Sequence, residues 1–279
     1  LLKKLLDFFI FTSLFIACCA VLMVYQTALL FDLSFPFELY AFVFCGSVCS
    51  YNFHWYLTPP EMDRSSVKLR WNLSNRSIHL LLFILGLTGA AITSLLLLEH
   101  WLWLGVTALL TFLYSAPKID HPLTIWLRRI AVGKTIFLAF AWMHVTTLLP
   151  LLVVNELSIQ HILFAINRLF FIYAICIVFD RRDVEQDREA GIKSLVTYLS
   201  LKGVDRLFWA SLFLVLLTSI VLYQWFSVIE LTMMMVPSLL MGLLYERSKQ
   251  SGSDYFYYFL LDGLMALSSP LLILAKFAR

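Results

Sequence analysis

Long apolar runs are the feature that most constrains what this chain can fold into. Nine such segments follow one another along the 279 residues, each near the ~20 residues that a helix needs to cross a bilayer. The segments are 6–31, 34–56, 78–98, 101–116, 124–149, 157–179, 204–225, 227–246 and 255–275. Charged residues make up only 14% of the chain, whereas a soluble domain carries about 25%. We therefore predict an all-α, polytopic membrane protein of about nine transmembrane helices.

The basic residues predict how these helices are oriented. If the N-terminus lies on the same side as the longer charged breaks, that side carries all of the 21 Lys and Arg residues except Arg168, Lys276 and Arg279. By the positive-inside rule, the N-terminus and the charged loops belong in the cytoplasm. We expect an integral protein of the bacterial inner membrane. A net charge of +3 gives no argument for nucleic-acid binding.

One charged stretch interrupts the apolar pattern directly after the sixth segment. Asp180, Asp183 and Asp187 follow at spacings i, i+3 and i+7, which places their carboxylates on one face if the segment continues as a helix. Three like charges on one face repel unless a cation lies among them, and carboxylates suit a hard ion such as Mg2+. The alternative is a solvated loop, in which neighbouring arginines form weak ion pairs with the acids.

This stretch resembles the second Asp-rich signature of the UbiA superfamily of intramembrane prenyltransferases. The matching residues are Asp180, Arg182, Asp183, Asp187, Gly191, Lys193, Ser194 and Leu195. The resemblance implies helices around a central cavity, with Mg2+ held by Asp180, Asp183 and Asp187. It also implies that Asp183 takes part in catalysis and that Lys193 contacts an isoprenyl diphosphate.

A second element of the same family precedes this stretch. The sequence from Tyr114 to Lys118 reads Tyr-Ser-Ala-Pro-Lys and resembles the YxxxK element of the family. The resemblance gives Tyr114 and Lys118 catalytic roles, with Lys118 meeting a phosphate. The alternative is a lysine that extends to the membrane interface beside an interfacial tyrosine.

The first Asp-rich signature of the family, expected at the end of the second helix, is degenerate here. If Asn52 is the leading asparagine, Phe53 and Tyr56 stand where carboxylates are expected; if the motif is aligned on Asp63 instead, Tyr56 and Pro59 do. In either alignment two acids are missing, and only Asp63, with Glu61 nearby, could serve. A site with one acidic wall should bind a diphosphate and its metal more weakly, unless nearby basic side chains, among them Lys68, replace the missing charge. The residues that we assign to substrate binding from this region are Asn52, Asp63, Arg64 and Arg76.

The chain is predicted to form one domain, 1–279. A shift of 124 residues places Asp63 and Arg64 on Asp187 and Arg188, which indicates two pseudo-repeats, about 1–123 and 124–246, followed by a last helix at 255–275. Internal repeats in membrane proteins often form a site at their interface.

The resemblance implies a Mg2+-dependent prenyltransferase, which moves an isoprenyl group from its diphosphate to a hydrophobic acceptor, aromatic or lipid, within the membrane. The missing acids leave three alternatives open. One is a noncatalytic relative that binds a lipid diphosphate, and another is a terpene cyclase of the same fold. The third, a transporter, is disfavoured because polar residues are sparse in the outer half of the segments.

Overall fold

A computed structural model of the chain describes residues 1–58, 66–115, 134–189 and 195–277. Side chains are described throughout these ranges except at residues 114, 115, 134, 185–189 and 195.

Every regular element within these ranges is helical. The α-helices are α1 (Leu2–Phe11), α2 (Leu14–Phe31), α3 (Phe37–Tyr56), α4 (Val67–Ser74), α5 (Arg76–Leu96), α6 (Trp101–Ser115), α7 (Lys134–Met143), α8 (Leu149–Val153), α9 (Ile159–Glu189), α10 (Leu195–Tyr198), α11 (Leu201–Leu222), α12 (Val228–Ser248) and α13 (Asp262–Phe277). A π-helical turn, His144–Leu148, joins α7 to α8, and a second π segment, Phe256–Leu261, leads into α13. The prediction of an all-α fold is confirmed.

Seven helical stretches in the described ranges are long and apolar enough to cross a membrane. They are Leu14–Phe31, Arg76–Leu96, Thr135–Val153, Ile159–Val184, Leu201–Leu222, Val228–Ser248 and Phe256–Phe277. The two remaining predicted segments coincide with α3, of 20 residues, and α6, of 15 residues. Within the described residues, each of the nine apolar runs thus corresponds to a helix or to a helical pair, as expected for an integral membrane protein.

The first apolar run forms two helices rather than one. Ser13 adopts a left-handed conformation with φ of 64°, which a regular right-handed helix does not accommodate. The chain therefore turns between α1 and α2. The short helix α1 packs on α4 and on the second π segment, where fully buried Phe11 lies 5.9 Å from the ring of Trp71 and Asp7 accepts a hydrogen bond from Tyr255. A single span over 6–31 was wrong because apolar composition does not reveal this turn.

The spanning helices differ greatly in how much protein surrounds them. Of the spanning part of α9, 67% is buried inside the protein, whereas the corresponding share for α5 is 11%. Helix α5 packs closely against α3, and a Cβ added at Gly86 would lie 2.6 Å from the backbone nitrogen of Cys49. Small residues permit this close approach of two helices in a bilayer. Helix α9 therefore lies at the centre of the bundle, and it carries the aspartates of the charged stretch.

Candidate functional site

Polar side chains gather at one end of the bundle, which we call the charged end: the end of α3, all of α4, the end of α9 and the start of the second π segment. Asp254, just before that segment, joins two of these parts. Its carboxylate accepts hydrogen bonds from Ser66 Oγ, at 3.0 and 3.1 Å, and from the backbone nitrogen of Lys68 at 2.8 Å. Since Ser66 also caps α4 by accepting from Leu69 N, these bonds fix α4 across the end of the bundle.

The aspartates of the charged stretch lie on one unbroken helix, because α9 continues to Glu189. Asp180, Asp183 and Asp187 therefore follow on successive turns of α9, as the spacing indicated. Asp180 accepts a hydrogen bond from Thr135 of α7. Asp183 is engaged by its neighbour Arg182, and the side chain of Asp187 lies outside the described part.

Arg182 connects α9 to the second π segment. Its Nε donates to Asp183 Oδ1 at 2.6 Å, and its Nη2 donates to Asp183 Oδ2 at 3.1 Å and to the hydroxyl of Tyr258 at 3.0 Å. The guanidinium also lies 4.5 Å from the ring centre of Tyr257, within the range of a cation–π contact. Arg182 is therefore held between a carboxylate and two aromatic rings.

The preceding residue, Arg181, has a different role. Its Nη1 donates to Asp205 of α11 at 2.5 Å, and Asp205 also accepts from the hydroxyl of Tyr245 of α12 at 2.6 Å. The ring of Tyr245 stacks on Phe208 with centroids 3.7 Å apart. Arg181 thus ties α9 to α11 and α12, while Arg182 contacts the second π segment, so the two adjacent arginines serve different faces of the helix.

Lys68 is the most unusual cation of the charged end. It is only 3% exposed, and its Nζ lies over the rings of Tyr258, at 3.6 Å, and Trp55, at 4.7 Å. No described residue accepts a hydrogen bond from Nζ. Burial lowers the pKa of the Lys68 ammonium, against an opposing effect of the Asp262 carboxylate. From the sequence, Lys68 was expected only as a source of charge, because nothing in the sequence distinguishes a buried lysine from a solvated one.

Two buried residues near Lys68, one on α4 and one on α5, have side-chain polar atoms without a hydrogen-bond partner among the described residues. Asn72 stands one turn after Lys68 and is 2% exposed, and neither its amide nitrogen nor its amide oxygen has a partner among the described residues. Nε2 of His79, a fully buried residue of α5, is likewise unpaired there. Buried polar groups in proteins are nearly always hydrogen-bonded to protein, water or a ligand. This region is therefore a candidate binding site.

Asn52 and Arg76, both assigned to substrate binding from the sequence, have protein partners. Asn52 is fully buried, and its amide nitrogen donates to the carbonyl oxygens of Thr12, at 3.0 Å, and Val48, at 2.8 Å. Its amide oxygen lies 2.7 Å from His79 Nδ1. Arg76 donates to the carbonyl oxygen of Tyr56 at 2.6 Å. Asn52 links α1, α3 and α5, and its contact with substrate stays a prediction.

Four other assigned residues lie outside the described residues: Asp63, Arg64, Lys118 and Lys193. Tyr114 belongs to α6, but its side chain is not described. Their roles, and the two pseudo-repeats, stay predictions.

The fit of a Mg2+ ion rests on the chemistry of the donors. Asp180 and Asp183 supply the oxygen ligands that Mg2+ prefers, although both accept hydrogen bonds from protein groups in this structure. No group of three or more His, Cys, Asp or Glu side chains in the described part is arranged to hold a metal ion. A Mg2+ site here needs a further ligand, such as Asp187 or Asp63.

Comparisons with known proteins identify the fold. No protein-family model and no curated protein matches the sequence. The structure is similar to the apo structure of a UbiA homolog from Aeropyrum pernix K1, with a TM-score of 0.64 over 94% of this chain and 97% of that chain. The two sequences are 13% identical. The chain therefore has the UbiA-like fold that the resemblance led us to expect.

Proposed function

We propose that this protein is an integral-membrane prenyltransferase, which moves an isoprenyl group from its diphosphate to an aromatic or lipid acceptor with the help of Mg2+. The single observation that carries the proposal is the charged end. There Lys68, a buried lysine whose ammonium has no hydrogen-bond acceptor among the described residues, lies over the ring of Tyr258. The hydroxyl of Tyr258 accepts from Arg182, which belongs to the helix that carries Asp180, Asp183 and Asp187.

The cations are suited to a diphosphate leaving group. When an allylic carbon–oxygen bond breaks, negative charge develops on the diphosphate, and donors that are already in place stabilise it without reorganisation. Lys68 and Arg182 are both held on aromatic faces of the second π segment. A bound anion would also favour the charged form of Lys68, against the effect of burial. We assign both residues to diphosphate binding.

The aspartates complete the proposed site. Asp180, Asp183 and Asp187 would hold Mg2+, which supplies positive charge to a bound diphosphate. Asp183 would first have to exchange Arg182 for the metal, and this exchange would free the guanidinium for a phosphate oxygen. We propose that the charged end faces the cytoplasm, as the distribution of basic residues indicates.

Aromatic rings support the other half of the reaction. An allylic cation is reactive, and aromatic faces stabilise cations while they exclude water. Trp55 and Tyr258 already lie 6.2 Å apart around the Lys68 ammonium, and Phe179 lies 5.6 Å from Tyr258. The isoprenyl chain would extend from this end into the bilayer or between the apolar helices.

The experiment is an assay for diphosphate release. Membranes that contain the full chain are incubated with labelled prenyl diphosphates of several lengths and candidate acceptors, with and without Mg2+. We expect Mg2+-dependent release and a prenylated product, and we expect Asp183→Asn to reduce the rate at least ~100-fold. Glu246→Gln, which alters an exposed carboxylate paired with Lys249, is the matched control and should keep full activity. Unchanged turnover in Asp183→Asn would contradict the assignment.

A noncatalytic diphosphate-binding protein is the second candidate. It is favoured by the pairing of Arg182 with Asp183, which occupies both carboxylate oxygens, and by Phe53 and Tyr56 in place of acids. The same assay separates the candidates. Saturable binding of the labelled diphosphate without release identifies the binder, whereas release without any acceptor identifies a terpene cyclase.

A further inference from the structure

Arg168 is a second buried cation, and it lies far from the charged end. It is 4% exposed and occupies α9 nine residues after the start of the helix and twelve before Asp180. At 1.5 Å per residue, it lies about 18 Å along the helix from Asp180. It therefore stands well inside the bilayer, where ionised side chains are costly and face the interior of the bundle.

Neutral groups surround the guanidinium. Its Nη1 donates to Thr27 Oγ1 at 3.0 Å, to the carbonyl oxygen of Thr146 at 2.5 Å and to Thr147 Oγ1 at 2.9 Å, and its Nη2 donates to Gln26 Oε1 at 2.8 Å. Pro150, four residues after Thr146, has no N–H that could compete for this carbonyl. These hydrogen bonds orient Arg168, but none of the acceptors carries a negative charge.

The charge of Arg168 is therefore not balanced within the described part of the chain. The ion pairs there join Arg181 and Lys249 to Asp205, Arg182 to Asp183 and Lys249 to Glu246, and Arg168 takes part in none of them. An arginine has five N–H donors and stays protonated in proteins. Buried charges are normally paired, because an isolated charge in a medium of low dielectric is strongly destabilising.

A small cavity lies beside this guanidinium. Its volume is about 20 Å³, which is enough for one water molecule or a monatomic ion of similar size. Three polar side chains besides Arg168 line it: Gln26, Asn167 and Ser268. The Gln26 amide and the Ser268 hydroxyl each carry a hydrogen-bond donor, and the rest of the lining includes methionines such as Met23 and Met265.

We propose that this cavity binds a small inorganic monoanion of the chloride class, as the counter-ion of Arg168. The small space favours a monatomic anion over larger anions, and a water molecule in the same place would leave the charge unbalanced. The anion would be held by N–H groups of Arg168 and by the donors of Gln26 and Ser268. It would join α2, α9 and α13 in the middle of the membrane, independently of any reaction at the charged end.

The test is the dependence of stability on halide. The full-length protein is purified in detergent in gluconate, an anion too large for the cavity, and is then titrated with chloride or bromide at constant ionic strength. We expect a saturable rise of the melting temperature in both halides. A crystal soaked in bromide should give an anomalous peak within the cavity, next to Arg168.

Two variants locate the effect. Arg168→Gln should abolish the halide-dependent rise. Since this variant can fail to fold, Ser268→Leu provides an independent test, because it fills the cavity while Arg168 stays in place, and it should weaken the halide affinity at least tenfold. Lys276→Gln removes an exposed cation and should keep the wild-type response.

Three outcomes would overturn the proposal. One is a melting temperature that is the same in gluconate and in halide. Another is ordinary water density in the cavity, without an anomalous signal in bromide. The third is a halide response that survives Ser268→Leu unchanged, because this result would place the ion elsewhere on the protein.

Discussion

Lys68 and Arg168 are both buried cations, yet their surroundings differ in kind. Arg168 donates four hydrogen bonds to side chains and backbone from α2 and the first π turn. Lys68 contacts two aromatic rings, and its ammonium has no acceptor among the described residues. Arg168 is thus held by hydrogen bonds to neighbouring helices, so its loss should affect stability before ligand binding at the charged end. We propose that Lys68, in contrast, binds a ligand, and four predictions test this difference.

The largest expected effect is that of Lys68→Met on ligand binding. Removing a buried cation from a charged site should weaken diphosphate affinity about 100-fold, or about 3 kcal/mol. The free energy of unfolding should change by less than about 1 kcal/mol, because replacing a buried charge with an apolar group of similar volume is often neutral. Isothermal titration with prenyl diphosphate and thermal unfolding in detergent measure the two effects. A large loss of stability without a loss of affinity would show that Lys68 is structural.

Arg168→Met should give the opposite result. The carbonyl oxygen of Thr146 and the amide oxygen of Gln26 would lose their donor, and unsatisfied buried acceptors cost about 1–3 kcal/mol each. We expect the free energy of unfolding to fall by about 3 kcal/mol, with unchanged diphosphate affinity of the folded protein. Thermal unfolding at matched detergent concentration tests the first part, and titration below the melting temperature tests the second. Loss of affinity in well-folded protein would contradict the comparison.

Asn52 extends the comparison to a residue that the sequence assigned to substrate. In the structure it resembles Arg168 rather than Lys68, because its amide is fully bonded to Thr12, Val48 and His79. Asn52→Leu should lower the free energy of unfolding by about 2 kcal/mol, since it leaves buried groups unpaired. Diphosphate affinity of the folded fraction should be unchanged. A selective loss of affinity would instead establish the substrate contact that the sequence predicts.

The smallest expected effect is on the pH dependence of binding. Burial lowers the pKa of Lys68, so the side chain loses its charge at a lower pH than an ordinary lysine. Diphosphate affinity should therefore fall, by less than about tenfold, as the pH rises through that lowered pKa. The ionisable groups around Lys68 are Asp254, Asp262, Arg182, His79 and Tyr258.

Lys68→Arg is the control for this pH dependence. It keeps a permanent cation, so binding by this variant should change with pH only through the diphosphate itself. An identical pH profile for the wild type and Lys68→Arg would show that Lys68 does not titrate in this range.

The sequence predicted more of the fold than of the site. Apolar length is a local property, and within the described residues each of the nine predicted segments falls on a helix or a pair of helices. The spacing of Asp180, Asp183 and Asp187 likewise anticipated their place on one helix. The turn at Ser13 was missed, because neither composition nor periodicity marks a single left-handed residue within an apolar run.

The site was harder to predict because a side chain acquires its role from distant neighbours. Asn52 of α3 matched a family motif, but its partners are Thr12, the residue that follows α1, and His79 of α5. Arg181 and Arg182 are adjacent in sequence, yet their partners, Asp205 of α11 and Tyr258 of the second π segment, belong to different elements that pack on α9.

The amino-acid sequence by itself determined that this protein crosses a membrane many times and that carboxylates follow one another on a helix. Hydrophobic length and helical spacing are sufficient for both, since neither depends on the rest of the chain. Only the tertiary structure decided that Lys68 lies buried between rings and that Arg168 meets neutral acceptors beside a cavity. The energy of a buried charge depends on the groups that surround it, and those groups come from helices far apart in the sequence.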